Sequence, residues 1–297
     1  MTGATGFLGR HAAWELVRAG HEVHNLTRPE SDRSALDARP EGPYVKAVTL
    51  APEMSNLCEV VSEIKPDVCL HIAAIARVKD NEAGIREMVA TNILMPSLIA
   101  RALMDVGAGA LVTCGTSWQT AGSDGSYVPF DYYSATKQAA EDAITGYVVQ
   151  GLPAIALRMF DNYGEDDTRN KIVDLLFDSA SKQKPLAMSP GEQLIDLVYV
   201  DDAARALRIA VERAARLPGA TMEVYGVSSG DQRKLKDVAA LIGRIVGQTA
   251  PIEWGGRPYR DREVMVPYSG LASVPGWEVT VRLEEGLERV WQQKRGD

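Results

Sequence analysis

After Met1 the chain opens with Thr2-Gly-Ala-Thr-Gly-Phe-Leu-Gly9, and no other segment constrains its fold as tightly. The glycines recur as Gly3-x-x-Gly6-x-x-Gly9. One permits a tight turn, one lets backbone amides approach a pyrophosphate, and one lets the following helix lie close to its strand. The helix expected over residues 7–19 places Leu8, Ala12, Leu16 and Ala19 on one stripe and stops at Gly20. Its free N–H groups and positive dipole end would face the phosphates of a dinucleotide. The strand that should feed this loop is missing, because only Met1 precedes it. A central parallel strand is buried on both faces. Losing about five core side chains, at roughly 1.5–3 kcal/mol each, would exceed the stability of a typical domain. The expectation is therefore a start assigned too late, with a sheet that closes the gap differently as the alternative. The chain as it stands is expected to bind a dinucleotide weakly, if it folds at all.

Downstream, strand-like and helix-like segments alternate, which predicts a parallel sheet covered on both faces. Strands are expected at 22–27, 44–50, 67–73, 110–116 and 154–160, with helices at 52–64, 81–106 and 131–150. Pro96 is expected to kink the long second helix. After Asp161 the rhythm loosens, with helices near 170–183, 201–215, 234–247 and 283–294. The fold class is thus α/β: a Rossmann-type doubly wound parallel sheet over 1–160, lacking its usual first strand. A smaller C-terminal lobe over 161–297 binds substrate, with some segments returning to the nucleotide domain.

The net charge of -8 argues against nucleic acid and against an anionic membrane as the main partner. Cys58, Cys69 and Cys114 are odd in number and lie in apolar surroundings, so they read as reduced core residues. His11, His21, His24 and His71 form no metal spacing, and no metal is expected. With no signal peptide and no run of eighteen apolar residues, the expected location is the cytoplasm.

Two further clusters carry chemistry. Tyr133-Ser-Ala-Thr-Lys137 is the only Tyr-x-x-x-Lys in the chain. Four-residue spacing on a helix puts phenol and ammonium on one face. Cys114-Gly-Thr116-Ser117-Trp118-Gln119 ends the preceding strand. The C-terminal ends of strands are where open α/β sheets present their sites.

The octapeptide, the hydroxyl cluster and the Tyr/Lys pair, in this order, resemble the extended short-chain dehydrogenase/reductase family, also called NAD-dependent epimerase/dehydratase proteins. The resemblance implies a nicotinamide coenzyme beside a nucleotide-bound sugar. Tyr133 would move the proton, Lys137 and oxidised nicotinamide together would lower the phenol pKa, Lys137 would also hold the nicotinamide ribose, and Thr116 would orient the reacting oxygen, with Ser117 as the alternative. Gly3, Thr5, Gly6, Phe7, Leu8, Gly9, Leu50, Ala73, Ala74, Lys137 and Phe160 would line the coenzyme. Asn92 matches a structural asparagine of the long helix. Arg158-Met-Phe-Asp-Asn-Tyr-Gly164 resembles the segment that meets nicotinamide and substrate, with Asp161 where asparagine is usual; the carboxylate would turn away or be protonated. Ser117, Trp118, Asn162 and Arg260 would touch the substrate, and Arg257 and Arg262 could join Arg260 on a diphosphate.

NAD enzymes place an acid about twenty residues after the glycines to hold a ribose hydroxyl. Here that position is Thr27, followed by Arg28, which suits a 2′-phosphate. NADP(H) is expected over NAD(H), with Arg33 assisting. Dehydratases of the family carry Asp-Glu directly after the catalytic threonine, where this chain has Ser117-Trp118. The sequence looks closest to the CDP-abequose or paratose synthase group, whose members reduce a 4-keto-deoxysugar nucleotide. The expected function is such a reductase. A nucleotide-sugar 4-epimerase and a non-catalytic coenzyme sensor are the alternatives. Helices 81–106 and 131–150 resemble the pair that builds a homodimer interface in the family.

Overall fold

The computed structural model describes residues 1–76, 81–107, 109–122 and 124–296. The first half alternates as the apolar periodicity requires: α1 (Phe7–Arg18), β1 (Val23–Thr27), α2 (Ser34–Asp37), β2 (Val45–Thr49), α3 (Leu57–Ile64) and β3 (Val68–His71). Then come α4 (Glu82–Met88), α5 (Met95–Val106), β4 (Ala110–Thr116), α6 (Tyr132–Val148) and β5 (Ala154–Met159). The second half holds β6 (Asp161–Tyr163), α7 (Ile172–Lys182), β7 (Leu186–Met188), β8 (Leu194–Tyr199), α8 (Val200–Ala214), β9 (Met222–Val227), β10 (Gln232–Lys234), α9 (Leu235–Val246), β11 (Ile252–Trp254) and α10 (Leu283–Arg295).

Strands β3, β4, β5 and β9 form one continuous parallel sheet, in that order. Every residue of β5 is buried, as expected for a strand covered on both faces. Strands β1 and β2 form a separate parallel pair, in register from Val23 opposite Val45 to Thr27 opposite Thr49. Among the described residues the two sheets are bridged by Thr2, in parallel to Leu26 on one side and to His71 on the other. The Thr2 N–H donates to the Leu70 carbonyl at 2.9 Å, and the Leu26 N–H donates to the Met1 carbonyl at 2.8 Å. Behind Met1 lies a cavity of about 620 Å³, walled by Val23 and Leu26 of β1 and by Val68 and Leu70 of β3. The Met1 ammonium donates to the His24 carbonyl at its mouth, and burial pushes the amine pKa below its usual range.

Pro96 does not itself mark the distortion of the long helix. The chain widens into a π-helical turn over Val89–Leu94, and α5 restarts with Pro96 in its first turn. A proline at the start of a helix lacks only an N–H that would be unpaired anyway. The turn aims Asn92 inward, 1 % exposed. Its side chain exchanges two hydrogen bonds with the backbone of Ile75 and donates to Thr136 of α6. The stretch Glu82–Val106 reaches a mean hydropathy of 1.3, an apolarity the sequence reading passes over. Its inner residues, among them Ile99 and Leu103, pack into a core shared with α3, β4 and α6.

A second core, around Phe177, Leu176, Ile242 and Leu287, holds α7, α9 and α10 together. Helix α8 instead packs in a third core, where Ala203, Ala206, Leu207 and Ala210 lie with Trp14 of α1 and Ile155 and Leu157 of β5. Asp202, fully buried, fastens the late segment: it accepts the Thr280 and Val281 N–H groups, each at 3.0 Å, the Thr280 hydroxyl and Arg205.

Candidate active site

The glycine loop has the shape its spacing demands. Gly3 sits at φ +78°, and a Cβ there would lie 2.7 Å from the Ala73 nitrogen. A Cβ on Gly9 would lie 1.8 Å from the Gly3 carbonyl oxygen, so helix and loop touch only because both residues lack side chains. Gly6 caps α1, whose first turn carries no acid. The Thr2 hydroxyl accepts the Ala73 N–H at 3.2 Å and lies 2.9 Å from His71 Nδ1. Burial, with Lys137 and the Met1 ammonium nearby, pushes His71 down to about 3, so its ring is neutral.

Phe7 departs from its expected place. Its ring is buried under the Arg169 guanidinium, 4.2 Å from the centroid, so only its backbone remains for a coenzyme. Leu8 and Thr5 are partly buried at the loop, Leu50 is buried after β2, and Ala73 and Ala74 are accessible beyond β3. Phe160 is buried, its N–H donating to Val227. Arg28 projects from the end of β1, three-quarters exposed, 3.3 Å from Glu30. Arg33 does not join it: its guanidinium is tied to Asp37 at 2.9 Å and to the Val45 carbonyl at 3.0 Å. The sequence holds that carboxylate four residues on, and the pairing withdraws the arginine.

Thr116 ends β4, and Tyr133 and Lys137 lie in the first two turns of α6. Asp131 caps that helix by accepting the Ser134 N–H at 2.8 Å, which pins its start beside the end of β4. The Lys137 ammonium sits 6.0 Å from the Tyr133 ring centroid. Burial lowers Lys137 to about 8, with nearby Cys114 opposing. Burial likewise raises Cys114 to about 11. Lys137 by itself does not draw the phenol toward neutrality. Burial raises Tyr133 well above its usual value, and Cys114, Asp131 and Asp161 push the same way. The phenol is therefore protonated at neutral pH.

Asp161 does not turn away. It is exposed and lines a cavity of about 410 Å³ together with Ser117, Trp118, Phe130, Arg257 and Arg260. Trp118 and Phe130 form a tilted pair with centroids 4.7 Å apart. Arg260 lies over both rings, at 5.6 and 5.5 Å. Asn162 is partly buried and its carbonyl accepts from Arg169 at 2.8 Å. Arg262 is exposed and does not line this cavity.

Two residues escape the sequence reading. Phe130 completes the aromatic shelf, and its place just before the capping Asp131 is a recognisable helix-entry position. Gln119 is fully buried. The spacing Thr116-x-x-Gln119 is a capping box, and the structure forms both of its bonds.

The residues present fit a dinucleotide. The glycines bring the loop close to Ala73 and to the start of α1, and the N–H groups of that acid-free first turn, which have no acceptor within the helix, are the donors for a phosphate.

Comparison with known proteins agrees with this geometry. Residues 1–227 match the NAD dependent epimerase/dehydratase family. A CDP-abequose synthase of Yersinia pseudotuberculosis is 24 % identical over 268 residues, 90 % of each chain. A dTDP-glucose 4,6-dehydratase of Xanthomonas campestris is 24 % identical over 97 % of this chain and 90 % of its own. Among solved structures, the UDP-glucose 4-epimerase of Thermus thermophilus in complex with NAD superimposes with a TM-score of 0.81 at 22 % identity, covering 99 % of this chain and 98 % of that one. The chain belongs to the NAD dependent epimerase/dehydratase family; it is an NAD(P)-dependent enzyme of Rossmann-type α/β fold.

Proposed function

We propose that this enzyme reduces a nucleotide-activated 4-keto-deoxysugar, with NADPH as the preferred hydride source. The observation that carries the reading is the composition of the site beyond Thr116. Ser117 and Trp118 follow it, and Trp118, Phe130 and Arg260 wall the cavity. A dehydratase needs acid/base groups directly there. A hydroxyl and an indole cannot supply them, whereas an apolar shelf beside an arginine suits a deoxysugar joined to a diphosphate. A relative at similar identity is a CDP-abequose synthase.

Bound at the glycine loop, the nicotinamide coenzyme supplies the hydride. The first turn of α1, brought close by Gly3, Gly6 and Gly9, would hold its phosphates, Arg28 a 2′-phosphate, and Lys137 its ribose. The chain's own residues handle the oxygen. Tyr133, protonated at neutral pH, is poised to donate a proton to an oxygen that gains charge as the ketone is reduced. The Thr116 hydroxyl accepts the Trp118 N–H at 3.3 Å and, among the described residues, donates to no partner, so its proton is free for the same oxygen. Arg260 and Arg257 border the cavity that would take the nucleotide diphosphate.

A 4-epimerase is the second reading, favoured by the superposition on the Thermus thermophilus enzyme. Coenzyme stoichiometry separates the two. A panel of CDP-, dTDP- and UDP-4-keto-6-deoxyglucose is incubated with NADPH or NADH. The reductase reading expects one coenzyme oxidised per sugar reduced, and interconversion of 4-epimers without net oxidation would overturn it. Apolar Ile85, Val89 and Leu94 on the 82–106 stretch and Val149 after α6 are exposed. This supports a homodimer through these helices, which light scattering reads as twice the monomer mass.

A further inference from the structure

Behind Thr116 lies a buried polar cluster that the proposed chemistry does not use directly. Gln119 is fully buried in the 3-10 turn Ser117–Gln119. Its Oε1 accepts the Thr116 N–H at 2.9 Å. Its Nε2 donates to Gln138 Oε1 at 2.9 Å and lies 3.4 Å from Glu141 Oε2. Arg158 of β5 closes the cluster, Nη2 donating to Gln138 Oε1 at 3.1 Å and to Glu141 Oε1 at 2.8 Å. The amide orientation of Gln119 is forced, since a backbone N–H can only donate and so must meet the carbonyl oxygen. Gln138 then turns its own nitrogen outward to Asp142 at 2.8 Å.

The placement is specific. Gln138 follows Lys137, and Glu141 lies one turn beyond it, so the cluster grips α6 at the turn that carries the ammonium. It also grips Thr116 through its backbone and meets β5 at Arg158, the cross-strand partner of Gly115. Gly115 makes the fit: a Cβ there would lie 2.4 Å from Gln119 Oε1 and 3.2 Å from Arg158 Cδ. The cluster is a poor device for stability alone. Arg158 Nε and Nη1 are buried without partners among the described residues, and an ion pair this buried often stabilises less than apolar packing of the same volume. What it does supply is a rigid link between β4 and α6.

We propose that Gln119 is a positioning residue for the reaction: held by Gln138, Glu141 and Arg158, it fixes the Thr116 hydroxyl against Tyr133 and Lys137. The inference rests on the reductase reading for the identity of the reacting oxygen, but not for the geometry. Gln119→Met keeps the volume and removes donor and acceptor. With the nucleotide 4-keto-6-deoxysugar that turns over fastest, kcat falls about 30-fold or more, while KM and the coenzyme Kd, read from NADPH fluorescence, move less than about threefold. Because Gln119 acts through Thr116, adding Gln119→Met to Thr116→Val costs little beyond Thr116→Val alone. The pair Gln119→Glu with Glu141→Gln keeps the charge of the cluster and an acceptor for Thr116; Gln138 turns its amide nitrogen from Asp142 to the new carboxylate, and the pair recovers part of kcat. It also stands in should Gln119→Met fail to fold. A kcat within threefold of the parent, losses that multiply with Thr116→Val, or an exchanged pair no better than Gln119→Met overturns the proposal.

One arm needs no turnover. Hydrogen exchange at the Thr116 amide accelerates in Gln119→Met, with β5 and the second half of α6 unchanged; unaltered protection overturns the proposal by itself. Failure of the reaction reading looks different: Thr116→Val and Tyr133→Phe would keep full activity while the Thr116 amide still lost its protection.

Discussion

The two halves of the central sheet are built to different standards. From β3 to β9 four strands pair without a break, the two central ones, β4 and β5, largely buried, and at their carboxyl ends stand Thr116 and the turn leading to Tyr133 and Lys137. From β1 to β2 there is a two-stranded ribbon, joined to the rest by the bridges of Thr2 and backed by a cavity of about 620 Å³. The glycine loop and Arg28 belong to this second half. Proton chemistry is thus mounted on the rigid part, and coenzyme recognition on the part tied by few bonds. Interiors lose dispersion contacts wherever a void faces them. The ribbon should therefore open more readily than the four-stranded sheet.

The largest effect should come from the rigid half. Tyr133→Phe removes the proton donor and should lower kcat by about 10²- to 10⁴-fold with coenzyme Kd unchanged; turnover within tenfold of the parent breaks the assignment of chemistry to that half. Next is the buried Lys137. Its pKa is lowered from 10.5 to about 8, so between these values the folded state binds fewer protons than the unfolded chain, and its share of stability rises with pH. Below about pH 8 both states are protonated and the full burial penalty stands. Denaturant titrations from pH 7 to 10 should show the advantage of Lys137→Met shrinking by at most about 3 kcal/mol; Cys114, raised to about 11, works oppositely and is coupled to Lys137, so the comparison is made with Cys114→Ala in both proteins. A pH-independent difference contradicts the burial argument.

Thr2→Val probes the weak junction. It keeps the shape but leaves the Ala73 N–H and His71 Nδ1 without a partner, which should cost about 2–4 kcal/mol. Coenzyme affinity should suffer more than the sugar KM, and exchange at β1 and β2 amides should quicken while β4 and β5 stay protected. Equal loosening of all strands would erase the distinction between the halves. The smallest effect belongs to Arg28→Ala, which should reduce NADPH preference over NADH by about tenfold or less, since the side chain is largely exposed and shared with Glu30.

Local features were the most legible in the sequence. Gly3, Gly6 and Gly9 act through backbone clashes within a few residues or against the adjoining strand, so spacing alone predicts them. Tyr133 and Lys137 share a helix face for the same reason. Errors arose where a competing partner decides, one of them, Asp37, only four residues away. Arg33 was drawn off by Asp37 and the Val45 carbonyl, Phe7 was covered by Arg169, and Asp161 faces the cavity because β6 pairs with β8. The phenol pKa went the other way because burial outweighs a lysine that is itself weakened by burial. The Gln119 cluster needs three elements brought together, of which only its capping box is visible along the chain.

The reductase reading makes one claim that a single labelling experiment reaches. The enzyme is given a nucleotide 4-keto-6-deoxysugar and NADPH deuterated at both hydride positions of the nicotinamide, and the sugar is examined by mass spectrometry and NMR. A product heavier by one deuterium, located at C4 and formed in step with coenzyme oxidation, is the expected result. Unlabelled product, or sugar interconverted with the coenzyme still reduced, would contradict it.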